Sequence, residues 1–98
     1  MKDNVLGFIG ILFRANKAII GESARLSKKG RVAFLAIDAS EATKKEIIHL
    51  CKTSSTPLYE DYSKGELGSA VGYSEVSYVL IIDKKAATSL EKKRKEIR

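Results

Sequence analysis

Residues 31–38 read RVAFLAID, and every position from Val32 to Ile37 is apolar. A strand with one face in water alternates apolar and polar residues; a near-continuous apolar run reads as a strand buried on both faces. VSYVLIID at 76–83 has the same character. Strands of this kind need a sheet with helices on each side, and the intervening segments are patterned to supply them.

Val5, Phe8, Ile9, Leu12 and Phe13 fall at helical spacings and would form one apolar face of a helix over 5–15. Gly7 and Gly10 each cost that helix roughly 1 kcal/mol relative to Ala, and close packing would be their return. KAII (17–20) is a short strand broken by Gly21. Glu22–Lys29 then reads as a short basic helix anchored by Ala24 and Leu26. Gly30 is placed as its stop, with Lys28 and Lys29 complementing its negative end. In DASEATKKEIIHLCK, Asp38 or Ser40 can cap a helix, Asp38 with Glu41 fits a capping box, and Ile47, Leu50 and Cys51 make its buried stripe. TSSTP (53–57) is a loop, and PLYEDY holds a short strand. Ser63 caps the next helix, with Glu66 three residues on, Leu67, Ala70 and Val71 facing inward, and Gly72 ending it. Lys84–Arg98 reads as a basic C-terminal helix. Helices and strands alternate along the whole chain, which predicts an α/β fold: a three-layer α/β/α sandwich around a four-stranded mixed sheet. The length of 98 residues suits a single domain spanning 1–98.

Several chemistries lack their residues. The longest uninterrupted apolar-plus-glycine run, VLGFIGILF (Val5–Phe13), is far below the 18 or so residues of a membrane span and lacks the basic start and cleavage site of a signal peptide. A cytoplasmic location with no membrane partner is expected. One cysteine, Cys51, excludes an internal disulfide and a cysteine-rich zinc site. His49 lies mid-helix, and Cys51, two residues on, does not share its face. A surface or half-buried role suits His49, and a packed thiol suits Cys51. Gly65, Gly68 and Gly72 sit on and after a helix, where no phosphate loop forms. Asp38, at the end of a buried strand, is where open α/β sheets place metal or phosphoryl ligands. Such a site needs further carboxylates; only Asp83 ends another strand, and capping accounts for Asp38. No catalytic residue, metal or cofactor is expected.

The charge is segregated. Arg14–Arg31 carries six cations and one anion, Lys84–Arg98 seven cations and two anions, and residues 32–83 four cations and eight anions. Two basic segments flanking an acidic middle favour a polyanionic partner on one surface, most simply nucleic acid. A solubilising surface with a basic tail is the plainer alternative.

Three stretches carry a resemblance: LFRANKAIIGE, SKKGRVAFLAIDASEATKKEI and SKGELGSAVG. Together, over roughly Val5–Lys85, the chain resembles the ribosomal protein L7Ae/L30e family, closest in kind to its small stand-alone bacterial members. The resemblance implies kink-turn RNA binding on an α/β/α sandwich. The family presents Gly-x-Asn-Glu at the start of its basic helix, with Lys three residues after the Glu. Aligned on Gly30, Gly21 takes the Asn position, Glu22 the Glu and Arg25 the Lys. In kink-turn binding these side chains meet guanine edges at tandem sheared G·A pairs while the helix start meets the backbone. An acidic residue at a helix start is also explained by the dipole alone. The family's second contact, a loop whose apolar residues stack on a flipped base, corresponds to GYSEVSY (72–78), with Tyr73 or Val76 placed to do so and Tyr78 starting the strand. Many bacterial relatives carry Arg near the position of Val76; here there is none, and Glu75 adds a negative charge.

The leading expectation is a non-catalytic, ribosomal-protein-like RNA-binding protein, monomeric, with structured RNA and the ribosome as candidate partners. Its expected contacts are Lys17, Gly21, Glu22, Arg25, Lys28, Lys29, Arg31, Tyr73 and Val76. The alternative is a protein-interaction module on the same fold that has lost specific RNA recognition.

Overall fold

The two apolar runs lie side by side at the centre of the sheet. The computed structural model describes residues 4–27 and 29–97, ordered as α1 (Asn4–Arg14), β1 (Ala18–Ile20), α2 (Gly21–Leu26), β2 (Val32–Leu35), α3 (Glu41–Ser54), β3 (Leu58–Tyr59), α4 (Lys64–Val71), β4 (Tyr78–Ile81) and α5 (Lys84–Ile97). The four strands form one sheet in the order β1-β4-β2-β3. β4 is antiparallel to both β1 and β2, and β2 is parallel to β3, so the sheet is mixed.

The register sets the two faces. Val32 pairs with Ile81 and Phe34 with Val79, whereas Ala33 pairs with Leu80 and Leu35 with Tyr78; alternate residues of a strand point to opposite faces. Tyr78 and Leu80 therefore face the side that α2 and α3 cover, where Ala24, Leu50 and Cys51 lie. On the other side α1, α4 and α5 pack together, and Phe34 meets the rings of Tyr59 and Tyr62. Both strand runs are buried throughout, as double-sided burial requires.

Element ends differ from the sequence expectations for identifiable reasons. The regular strand β2 ends at Leu35; the Ala36 N–H still donates to the Ser77 carbonyl and the Ile37 N–H to the Tyr62 carbonyl, each at 2.8 Å, but Ile37 is 50% exposed. α2 stops at Leu26, with Ser27 already extended, so Gly30 is not its stop. Gly30 instead lies against Leu80, where an added Cβ would come within 2.5 Å of Leu80 Cδ1. Ser40, not Asp38, caps α3: its Oγ accepts from the Thr43 N–H at 3.2 Å. Asp38 Oδ1 accepts from the Lys64 N–H at 2.8 Å, satisfying the first residue of α4. Asp83 Oδ2 likewise accepts from the Ala86 N–H at 2.9 Å. Because β2 and β4 are antiparallel, Asp38 and Asp83 follow opposite ends of the sheet and never form a carboxylate pair.

The α4 capping box forms as patterned, with Ser63 Oγ accepting from the Glu66 N–H and Glu66 Oε1 accepting from the Ser63 N–H. The C-terminal helix is docked: Arg94 makes a bidentate pair with Asp61 at 2.6 and 3.1 Å and lies over the Tyr59 ring. No helix among the described residues is long and apolar enough to cross a membrane, and no three His, Cys, Asp or Glu side chains among them gather as a metal site.

Candidate nucleic-acid interface

Strand pairing decides which sequence segments meet. β1 ends at Ile20, opposite Val79 of β4. The chain turns there through Gly21, at φ +68°, into α2. The 72–77 loop enters β4 at Tyr78, at the same end of the sheet. The start of α2 and this loop thus flank one cavity of about 310 Å³, lined by Gly21, Arg25, Tyr73, Glu75 and Val76 together with Ile20, Ser77 and Tyr78.

The loop's path is fixed by α4. Gly72 ends the helix in the left-handed conformation, at φ +86°. One turn earlier, Gly68 lies against the Ser74–Glu75 backbone, where an added Cβ would meet Glu75 Cα at 2.8 Å. The Val76 N–H donates to the Lys64 carbonyl at 3.0 Å. The Glu-Leu-Gly-x-Ala-x-Gly motif therefore shapes the second wall of the cavity, a role that spacing alone did not reveal for Gly68.

Tyr73 is 56% exposed, held edge-to-face against Phe13 with ring centroids 6.1 Å apart. Val76 is 7% exposed and part of the core. Val76 still contributes to the cavity wall, and Tyr73 is the loop's exposed ring. Glu22 is exposed on α2. Arg25 Nη1 pairs with Glu46 Oε1 of α3 at 3.0 Å, both side chains substantially exposed. Such a pair contributes about 0–1 kcal/mol, so it steers Arg25 more than it stabilises the fold. At six residues, α2 is too short for its dipole to dominate the charge at this site.

The remaining expected contacts do not gather at this cavity. Arg31 donates its backbone N–H to the Ile81 carbonyl, and Lys17 accepts from the Ile82 N–H. Both residues lie at the Ile81 end of the sheet, opposite the end that carries Gly21 and Tyr73. Lys29 is exposed before Arg31, and Lys28 lies outside the described residues.

A larger cavity, about 460 Å³, separates α2 from α3. Its lining is mainly apolar and includes Ala24, Leu26, Leu50, Cys51, Tyr78 and Leu80, with Arg25 and the exposed His49 at its rim. Leu26 is 75% exposed beside it rather than anchoring α2 in the core. Burial pushes the Cys51 thiol up, offset in part by its hydrogen bond with Tyr78. Burial also raises the Tyr78 phenol, reinforced by the neighbouring thiol. Both groups are thereby kept neutral, which suits packing rather than nucleophilic chemistry.

Comparison with known proteins follows the same segments. Residues 14–91 match the model of the ribosomal protein L7Ae/L30e/S12e/Gadd45 family, a span containing α2, the 72–77 loop and the whole sheet. The chain is 31% identical over 75 residues to RNA-binding protein YlxQ of Enterococcus faecium, covering 72% of this chain and 73% of that protein. Its fold is similar to that of a protein of unknown function from Bacillus halodurans C, with a TM-score of 0.86 at 22% identity, over 94% of this chain and 97% of that one.

Proposed function

The chain belongs to the ribosomal protein L7Ae/L30e/S12e/Gadd45 family, and from that membership we propose that it is a non-catalytic RNA-binding protein that recognises structured, kink-turn-type RNA. The observation that carries this reading is the single cavity shared by Gly21 and Arg25 of α2 with Tyr73 and Glu75 of the 72–77 loop. These are the two segments through which the resemblance implies kink-turn contact.

The chemistry of the rim favours base edges over phosphate. Glu75 lines the cavity with one cation, Arg25, and Glu22 is exposed on the same short helix as Arg25, so this edge suits a neutral base better than a phosphate. A guanine offers amino and imino donors that a carboxylate can accept, and Arg25 can address the O6 and N7 acceptors. Tyr73 offers a ring to an unstacked base, a contact worth about 1–3 kcal/mol. The RNA partner would be ribosomal or another structured RNA, with the ribosome itself a candidate.

The test is binding to a short duplex containing a kink-turn and to the same duplex with its tandem G·A pairs replaced by Watson–Crick pairs, at about 50 and 200 mM salt. The expected result is a preference for the kink-turn that Glu22→Ala and Tyr73→Ala each diminish. Equal binding of the unaltered protein to both duplexes would remove kink-turn recognition. The apolar cavity beside the exposed Leu26 favours the alternative of a protein-interaction module. Failure of the unaltered protein to bind either duplex at the lower salt would move the reading there.

A further inference from the structure

The base-reading edge is poor in free positive charge. Glu22, Asp38 and Glu75 lie at that end of the sheet, and Arg25 is paired with Glu46. Affinity for RNA comes largely from neutralised phosphates, so a protein with this edge needs cations elsewhere. The opposite end of the sheet has them.

Two backbone hydrogen bonds tie the flanking residues to the buried Ala18–Ile81–Val32 row. The Arg31 N–H donates to the Ile81 carbonyl at 2.7 Å, and the Ile82 N–H donates to the Lys17 carbonyl at 2.9 Å. Lys17 and Arg31 thus stand on either side of the β4 end, two strand spacings apart or about 9–10 Å. Strand alternation points Lys17, two residues before Ile19, toward the Leu80 face, the side α2 covers; Arg31 immediately precedes β2 and is exposed at the same end. Both are exposed, and neither has an ion pair among the described residues. Lys29, Lys84 and Lys85, exposed on the adjoining segments, add to the charge. The nearby acid, Asp83, is engaged with the Ala86 N–H.

We propose that this end of the sheet, centred on Lys17 and Arg31, is a second RNA surface that binds the phosphate backbone without reading sequence. It rests on the RNA-binding reading above and divides the labour: the α2–loop cavity reads bases, and the Lys17–Arg31 end supplies affinity. The paired part of β1 is three residues, about 10 Å of strand, so one RNA is long enough to reach both ends. Phosphate contacts position an RNA and base contacts specify it.

The experiment compares the unaltered protein, the double variant Lys17→Ala with Arg31→Ala, and Tyr73→Ala on the same two duplexes across a salt series. Thermal melting serves as the folding control: the double variant should leave it unchanged, and Tyr73→Ala should shift it only by the loss of the Phe13 contact, with the fold retained. For the double variant, affinity for both duplexes should fall by a similar factor, about tenfold or more. The slope of log K against log salt should become shallower by about 2, with the kink-turn preference retained. Tyr73→Ala should do the reverse, losing preference and keeping the slope. An unchanged slope and affinity in the double variant would overturn the proposal. So would a collapse of preference at constant slope, which would make Lys17 and Arg31 part of base reading. If the unaltered protein binds both duplexes equally, kink-turn recognition fails; a shallower slope in the double variant would still support the backbone surface. If it binds neither, both readings fall.

Discussion

On the alignment that the resemblance implies, Gly21 stands where the related motif has Asn, and its backbone would accept either residue. It begins α2 at φ +68°, a region Gly enters freely and Asn tolerates, at a cost of roughly 1–2 kcal/mol for most other residues. Nothing lies within 4 Å of where a Cβ would stand, so the constraint is conformational and not steric. Gly21→Asn should leave the melting temperature nearly unchanged and restore a hydrogen-bonding amide at the cavity, raising kink-turn preference by an amount comparable to one base contact, about 1–3 kcal/mol. Gly21→Val should lower the melting temperature by straining the turn. Equal melting temperatures for the Asn and Val variants would contradict the backbone argument, and an unmoved preference in Gly21→Asn would separate this position from the RNA. That Glu22 and Arg25 share one short helix was legible in the sequence; that Arg25 pairs with Glu46 of α3 was not. That Lys17 and Arg31 belong elsewhere was not, since their linear closeness to Gly21 and Arg25 is undone by the antiparallel pairing of β1 and β2 with β4.

The glycines of α1 look equivalent in sequence and are opposite in the fold. An added Cβ at Gly10 would collide with the Ala70 carbonyl oxygen of α4, whereas at Gly7 it would meet nothing within 4 Å. Gly7→Ala should therefore stabilise the protein by about 0.5–1 kcal/mol through helix propensity alone. Gly10→Ala should destabilise it by forcing α1 from α4, at about 1–3 kcal/mol. Chemical denaturation of the two variants checks this by the opposite directions of their midpoints. Period and capping residues marked α1, α3 and α4, because both signals are local. The role of Gly30 depended on Leu80, fifty residues away, and no local signal carries that contact. The terminal helix shows the same gap. Its cations read as a solvated basic segment, yet Arg94 is committed to Asp61 at 2.6 Å and to the Tyr59 ring. Arg94→Ala should cost about 2 kcal/mol, typical of hydrogen bonds to a charged group, and lower the melting temperature by about 10 °C in a chain of this size. A shift within error would return α5 to the status of a loosely attached tail.

At the scale of the molecule, the alternation of helices and strands gave the three layers, since two runs apolar on both faces leave few other arrangements. The strand order β1-β4-β2-β3 was not available to periodicity, and it decides both the cavity and the opposite cationic end. It also brings Cys51 of α3 against Tyr78 of β4, across the interface between a helix layer and the sheet. Burial raises both groups above their ordinary values of 9.0 and 10.0, and the Tyr78–Cys51 contact raises the phenol further. In the unfolded chain the thiol and then the phenol ionise at their ordinary values; in the folded protein both keep their protons. Below about pH 9 the two states bind the same number of these protons and the pair adds no pH dependence. Above it the folded state retains protons that the unfolded state has released, so stability falls as the pH rises from about 9 through the raised folded values. Tyr78→Phe removes the phenol from this balance and preserves the ring. Its loss of stability between about pH 9 and pH 11 should be smaller than that of the unaltered protein, with the profiles parallel below pH 8. Denaturation at a series of pH values measures the difference directly. Parallel profiles throughout would mean that Tyr78 ionises in the fold as easily as in water, and that the helix–sheet interface at this rung is open to solvent.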